Sequence, residues 1–101
     1  MSKEEPQTTK EFDPAEFIRE ASKVRKIVDK ELGEILYHQL RLIDMDDVNK
    51  PTDPRDKVAM VLFKYLGRAY PTLTLEDLKT MPLNTASRIL DLISKNEGVE
   101  S

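Results

Sequence analysis

Three carboxylates at Asp44, Asp46 and Asp47 form a cluster of hard oxygen atoms, which Ca²⁺ and Mg²⁺ favour as ligands. A twelve-residue calcium loop that began at Asp44 would need Gly at its sixth position and Glu at its twelfth. Those positions hold Asn49 and Arg55. We therefore expect no metal site, and interpret the aspartates as the cap and first-turn charges of a short helix, where they face the positive end of the helix dipole.

Nucleophilic and acid–base chemistry has few candidate residues, because the chain has no cysteine and one histidine, His38. A catalytic histidine needs a carboxylate or nucleophile against it, whereas His38 stands among Leu36, Tyr37 and Leu40. The serines lack a glycine-flanked elbow, and the three glycines are too widely separated to form a phosphate-binding loop. We predict no catalytic residue and no cofactor-binding residue, and hence a protein that is not an enzyme.

The composition predicts one folded domain, since 101 residues with 39% apolar and 35% charged content suit a small globular protein. No apolar run is long enough to span a membrane, and the first ten residues lack the features of a secretory signal. We therefore expect a cytoplasmic protein. A net charge of −3 gives no overall attraction to nucleic acid or to an anionic membrane, so we expect protein partners instead.

Capping signals divide the chain into short helices. Asp13-Pro14 and Asp53-Pro54 are typical helix starts, Thr74 to Asp77 resembles a capping box, and Pro82 precedes a last helix. Phe17 and Ile18 are predicted to begin an apolar face on the first helix, and Gly67 to form a left-handed cap after the third. Ala86, Ile89, Leu90 and Ile93 are spaced to form one buried stripe. Residues 1–11 and 98–101 are predicted to be tails that flank a single globular domain at 12–97.

Residues 24–43 fit two structures. Partial alternation from Val24 to Val28 and from Leu36 to Leu42 predicts a β-hairpin, with a turn over 30–33 in which Gly33 takes a positive φ. Apolar residues at spacings of three and four would instead extend the first helix. We favour the hairpin, and so predict a mainly α protein of about four short helices with one hairpin, an α+β fold. The alternative is an all-α bundle.

A concentration of positive charge lies at Arg19, Lys23, Arg25 and Lys26. The plain interpretation is a solvated surface. If the cluster has a function, it attracts an acidic protein partner, which would affect association rate and specificity more than affinity.

The order of elements over residues 58–93 resembles a helix-turn-helix regulator, in which Thr85, Ser87 and Arg88 would face DNA. Two observations count against this alternative. The connection at 79–83 is short by nearly a helical turn and contains Pro82. Moreover, the basic residues between positions 68 and 98 (Arg68, Lys79, Arg88 and Lys95) are matched by as many acidic ones (Glu76, Asp77, Asp91 and Glu97), although phosphate binding requires positive charge.

Four blocks taken in order resemble the tail assembly chaperones of long-tailed phages and proviruses. They are Glu31 to Ile35, Leu40 to Asp44, the helix that begins at Asp53-Pro54, and Tyr70 to Leu78 with Met81-Pro82. The resemblance covers roughly residues 12–96.

The resemblance implies a non-enzymatic protein of the host cytoplasm. It would coat the long tape-measure protein, keep its apolar helices soluble, and recruit tail-tube subunits before leaving the finished tail. Tape-measure and tail-tube proteins are therefore the expected partners, and self-association into a homo-oligomer is a further option.

Overall fold

The computed structural model of the protein describes residues 11–98, so the predicted tails lie almost wholly outside the described residues. In chain order the elements are α1 (Pro14–Glu20), β1 (Arg25–Asp29), β2 (Gly33–Tyr37), α2 (Asp44–Val48), α3 (Pro54–Leu66), α4 (Leu75–Lys79) and α5 (Leu83–Asn96). The α+β prediction is confirmed, with five helices in the described part of the chain where about four were expected. The all-α alternative is wrong.

The starts of α1, α3 and α4 lie where the capping residues predict them, whereas the predicted aspartate cap of α2 is wrong, because the N-cap of α2 is Ile43, without a side-chain hydrogen bond. Asp13 and Asp53 each accept a hydrogen bond from the backbone N–H two residues further on, at 3.2 and 2.8 Å. Thr74 and Asp77 form a reciprocal capping box, with both bonds at 3.1 Å. These local bonds satisfy N–H groups that have no partner inside the helix, which is why α1, α3 and α4 begin at these positions.

The predicted left-handed cap at Gly67 is wrong, because this glycine has a right-handed φ of −61°. Its N–H donates to the Phe63 carbonyl, and the N–H of Tyr70 donates to the Leu66 carbonyl at 2.9 Å. Right-handed turns therefore satisfy the last carbonyls of α3, and no positive φ is needed there.

The hairpin pairs β1 with β2 in antiparallel register, with Ile27 opposite Ile35 and Asp29 opposite Gly33. The turn depends on two residues. Gly33 has a φ of +87°, as predicted, and the Asp29 carboxylate accepts the N–H groups of Glu31 and Leu32 at 3.0 Å each. An aspartate that binds the backbone two and three residues ahead is a recurrent device for reversing the chain.

The predicted bounds of the second strand are wrong, since β2 begins at Gly33 and ends at Tyr37, and residues 39–42 lie in a loop. The strand begins early because Gly33 pairs directly with Asp29 after a three-residue turn. It ends early because the His38 N–H donates to the Tyr65 carbonyl at 2.9 Å, which directs the chain onto the end of α3.

The core lies where the hairpin meets α3, α4 and α5. Its buried members are Ile35, Tyr37, Ala59, Leu62, Leu66, Leu78, Ala86, Ile89 and Ile93. The predicted stripe of α5 is thus confirmed, with Leu90 partly buried at its margin. Within residues 11–98, no helix has the length and apolar content to cross a membrane.

Tyr37 joins the hairpin to the end of α5. Its ring is fully buried, and its hydroxyl donates to the Glu97 carboxylate and accepts a hydrogen bond from the Asn96 amide at 2.7 Å. Burial and the adjacent Glu97 carboxylate raise the pKa of Tyr37 to about 12. The neutral hydroxyl therefore anchors Glu97, which also lines a groove beside α1.

Candidate protein-binding groove

A groove of about 900 Å³ lies beside α1. One wall is α1 with the preceding Phe12, the other is the loop at 39–42, and Arg25 of β1, Tyr65 of α3 and Glu97 after α5 complete the lining. We call this feature the α1 groove.

Large apolar side chains line the α1 groove and remain in contact with solvent. Phe12, Phe17, Ile18 and Leu42 are 70%, 56%, 74% and 91% exposed, and Ile43 beside them is also exposed. The rings of Phe12 and Phe17 stack with centroids 5.3 Å apart. At roughly 200 Å² per side chain these residues expose on the order of 600 Å² of apolar surface, the upper end of what a monomer presents. Exposed apolar patches of this size are typical of interaction surfaces.

Phe17 and Ile18 lie on the apolar face that the sequence predicts for the first helix, but the core does not cover this face, because α1 has no buried residue. The first helix of the described chain lies outside the core and turns its bulky apolar residues toward the groove and solvent. Helical spacing reveals that an apolar face exists but not what covers it, and here the remaining elements leave it open.

Arg68, which follows α3, connects both walls of the α1 groove to the core. Its guanidinium donates to the Ala21 carbonyl at the end of α1 at 3.0 Å and to the Gln39 carbonyl in the loop at 2.9 Å. A planar fork with several donors can bind two carbonyls in fixed geometry, which a lysine cannot do equally well. Arg68 therefore sets the distance between the walls.

Ion pairs occupy the polar end of the groove. Arg25 lies between Glu20, at 3.2 Å, and Glu97, at 3.4 Å, and the Gln39 amide donates to Glu97 at 2.8 Å. These charges largely satisfy one another. The free surface that the groove offers to a partner is accordingly its apolar side chains.

Arg41 and Asp44 fix the far side of the loop. Asp44 is 3% exposed and accepts bonds from the Arg41 backbone N–H, at 2.8 Å, and from its guanidinium, at 3.1 Å. Burial opposes ionisation of this carboxyl, but the bonds from Arg41 outweigh it and hold the pKa of Asp44 below its ordinary value. The pair anchors the chain on either side of the exposed Leu42 and Ile43.

The four basic residues predicted to bind an acidic partner do not share one open surface. Lys23 pairs with Glu20 at 2.8 Å and Lys26 with Glu34 at 3.2 Å, while Arg19 is exposed in the last turn of α1. Arg25 is the one member that lines the α1 groove. Acidic neighbours in the same chain thus neutralise much of the cluster.

The residues predicted to face DNA lie in the first half of α5. Ser87 is exposed and Thr85 is partly buried. Arg88 donates to both carboxylate oxygens of Asp29, at 2.8 and 3.2 Å, and lies 3.6 Å from Glu31. The guanidinium that would bind DNA is thus bound to the hairpin turn.

His38 and the aspartate cluster are bound into the fold. The Nδ1 atom of His38 is buried and makes no hydrogen bond within residues 11–98. Burial, together with the positive charges of Arg68 and Arg41, lowers the pKa of His38, so the ring is neutral at pH 7.

Asp47 binds Lys64 at 2.6 Å and Lys50 at 3.1 Å. No three potential ligands among His, Asp and Glu converge in the described part of the chain.

Comparison of the chain with protein-family models, with curated proteins and with solved structures found no match.

Arg68→Met should loosen the α1 groove without unfolding the core. The variant loses two hydrogen bonds to carbonyls but keeps an unbranched stem like that of arginine, so opening of α1 should become easier by about 1 kcal/mol, or roughly fivefold. Amide hydrogen exchange should accelerate in residues 14–21 and stay unchanged in α3 and α5. Arg55→Met, which removes an exposed arginine paired with Asp53, is the control. Unchanged exchange in α1 would show that Arg68 does not hold the wall.

Asp29 should make the protein sensitive to acid. Hydrogen bonds from Arg88, and then from the Leu32 N–H, lower the pKa of Asp29 from 3.8 to about 2. Because the folded-state pKa is the lower one, the carboxylate stabilises the fold above about pH 4, and this contribution disappears as the pH falls toward 2.

Asp29→Asn keeps an oxygen for the turn but removes the charge. Urea unfolding should show that the variant is less stable than the parent at pH 6 and that the difference shrinks at pH 2.5. The control is Asp46→Asn, at a carboxylate with no ion pair among residues 11–98. Its difference in stability from the parent should be the same at pH 6 and at pH 2.5. An equal loss of stability for Asp29→Asn at both pH values would contradict the lowered pKa of Asp29.

Proposed function

We propose that this protein is a non-enzymatic, protein-binding chaperone that holds an apolar helical segment of a longer partner in the α1 groove. The observation that carries the proposal is a set of exposed apolar side chains: Phe12, Phe17, Ile18 and Leu42 line the groove, and Ile43 follows Leu42 in the chain. Together with the resemblance of the sequence to tail assembly chaperones, it supports a tape-measure protein as the proposed partner, with tail-tube subunits recruited afterwards.

The size of the apolar surface supports a binding role. A standard protein interface buries about 800 Å² on each side, and the exposed apolar side chains supply on the order of 600 Å² before any polar rim is counted. Leaving this surface in water is costly for an isolated monomer, at about 25 cal/mol per Å². A partner that covers it recovers that energy.

The shape of the groove suits a helix. A partner helix lying between α1 and the 39–42 loop would present residues at i, i+3, i+4 and i+7 to the apolar walls. Since Arg25, Glu20 and Glu97 are already paired with one another, the helix need not supply matching charges. Recognition would then tolerate many apolar sequences, as a protein that coats a long helical partner requires.

The loose attachment of α1 supports release. α1 buries none of its residues, and the contacts that tie it to the rest of the fold include the polar ones of Arg68 with Ala21 and of Glu20 with Arg25. A wall held by a few exposed hydrogen bonds opens more easily than one packed in a core. Such a wall favours a bound state that ends when tail-tube subunits compete for the partner.

The DNA-binding alternative gains no support from the arrangement of α4 and α5. Exposing Arg88 to a phosphate would require breaking its two bonds to Asp29. Protein binding, which requires no such break, is the function that these contacts favour.

Ile18→Glu should abolish chaperone activity toward the tape-measure protein encoded in the same genome. A charge placed at the centre of the apolar wall should weaken binding by about 2 kcal/mol or more, at least thirtyfold. The measurement is the amount of soluble complex that co-purifies after co-expression, followed by titration of a purified apolar tape-measure segment.

Leu83→Glu is the matched control, because Leu83 is 71% exposed but lies at the opposite end of the 14-residue α5 from Glu97, about 20 Å away. Circular dichroism should show both variants folded. Equal loss of binding in the two variants would remove the groove from the proposal, and a parent protein that binds no tape-measure segment would overturn the function itself.

A further inference from the structure

The outer edge of β2 is covered by the end of α3 and the residues after it. The Leu36 N–H donates to the Tyr70 hydroxyl and the His38 N–H to the Tyr65 carbonyl, both at 2.9 Å. These bonds show which residues of β2 turn their backbone groups away from β1. In an antiparallel pair, the residue opposite an outward-turned one also points outward, on the other edge.

In the described part of the chain, the outer edge of β1 is open. Lys26 lies opposite Leu36 and Val28 opposite Glu34, so both turn their N–H and C=O groups away from β2. Within residues 11–98 no hydrogen bond reaches these groups. The side chains of Val24 and Val28 are 56% and 75% exposed beside them. A strand edge of this kind is a template for pairing with a further strand.

We infer that the open edge of β1 pairs with β1 of a second copy of this chain, antiparallel and centred on Ile27. The two hairpins would then form one four-stranded sheet. The edge does not line the α1 groove, apart from the Arg25 side chain, so this inference stands independently of the proposed chaperone function.

The sequence of β1 is complementary to itself in this register. Arg25 of one copy lies opposite Asp29 of the other at both ends of the pairing, and Ile27 lies opposite Ile27 at its centre. Opposite charges and paired β-branched residues both favour cross-strand association. Lys26 lies opposite Val28, so no two like charges are directly opposed.

Shifting the register by two residues either way loses this match. One shift places Lys26 opposite Lys26 and Ile27 opposite Arg25. The other places Lys26 opposite Lys30 and Ile27 opposite Asp29. Like charges directly across a strand pair destabilise it. Charge therefore selects the register centred on Ile27.

The ion pairs already present extend across the two-fold axis. Arg25 is bound by Glu20 and Glu97, and Asp29 is bound by Arg88. In the paired state these become a row of alternating sign, in which Glu97 and Arg25 of one copy are followed by Asp29 and Arg88 of the other. Neither partner has to break an existing bond to join the row.

The first test is the mass of the full-length protein in solution, measured by light scattering during size-exclusion chromatography over a range of concentrations. The parent should form a dimer. Val28→Pro removes an outward N–H while leaving the ladder to β2 intact, and should weaken self-association at least tenfold, since two hydrogen bonds across the axis are lost. Val28→Thr keeps the N–H and should remain dimeric. A parent that is monomeric throughout, or a Val28→Pro variant as dimeric as the parent, would overturn the inference.

The second test fixes the register and does not depend on the fold of the proline variant. The chain lacks cysteine, so Lys26→Cys and Val28→Cys each introduce one exposed thiol. In the inferred register position 26 lies opposite 28, with Cα atoms about 5.5 Å apart, within disulfide range. Like positions lie on a diagonal of about 7–8 Å, beyond that range. Under mild oxidation a mixture of the two variants should form the mixed disulfide, and each variant alone should not. Crosslinking within either variant alone, or no mixed product, would contradict the register.

Discussion

The guanidinium of Arg68 connects parts of the chain that otherwise have little contact. By binding the carbonyls of Ala21 and Gln39 at once, it places α1 and the 39–42 loop on facing sides of a groove. Neither wall contributes much to the core, since α1 has no buried residue and the Leu42 side chain is 91% exposed. The groove thus has polar contacts at its base and apolar side chains along its walls. This division separates the core, which stabilises the fold, from the proposed binding surface, whose residues the core does not use.

The core forms without any residue of that apolar surface. Tyr37, Leu62 and Ile93 are its fully buried large residues, and they join β2, α3 and α5 without help from α1. The Tyr37 hydroxyl then fixes Glu97, and Glu97 fixes Arg25 and Gln39. One buried side chain therefore determines the position of the polar end of the groove. On the opposite side of the hairpin, Arg88 and Asp29 hold the turn, so that β1 presents a regular open edge.

Local signals made much of the fold predictable from the sequence. Asp13, Asp53 and Thr74 cap helices with bonds that span two or three residues, and Gly33 turns the hairpin, so each depends on its immediate neighbours. The groove could not be predicted in this way. Arg68 reaches carbonyls 29 and 47 residues away, Arg88 reaches a partner 59 residues away, and the apolar spacing of Phe17 and Ile18 fits a buried face equally well. The available signal was the presence of three large apolar residues, Phe12, Phe17 and Ile18, within seven positions of the sequence.

The central claim is that the α1 groove is the surface on which the protein holds an apolar helix. Hydrogen exchange of the full chain, followed by mass spectrometry with and without a bound tape-measure segment, tests it most directly because every region is observed at once. The account predicts protection concentrated in residues 12–21 and 39–43, with α4 and the first half of α5 unchanged. Protection confined to α4 and α5, with α1 exchanging as fast as in the free protein, would contradict it.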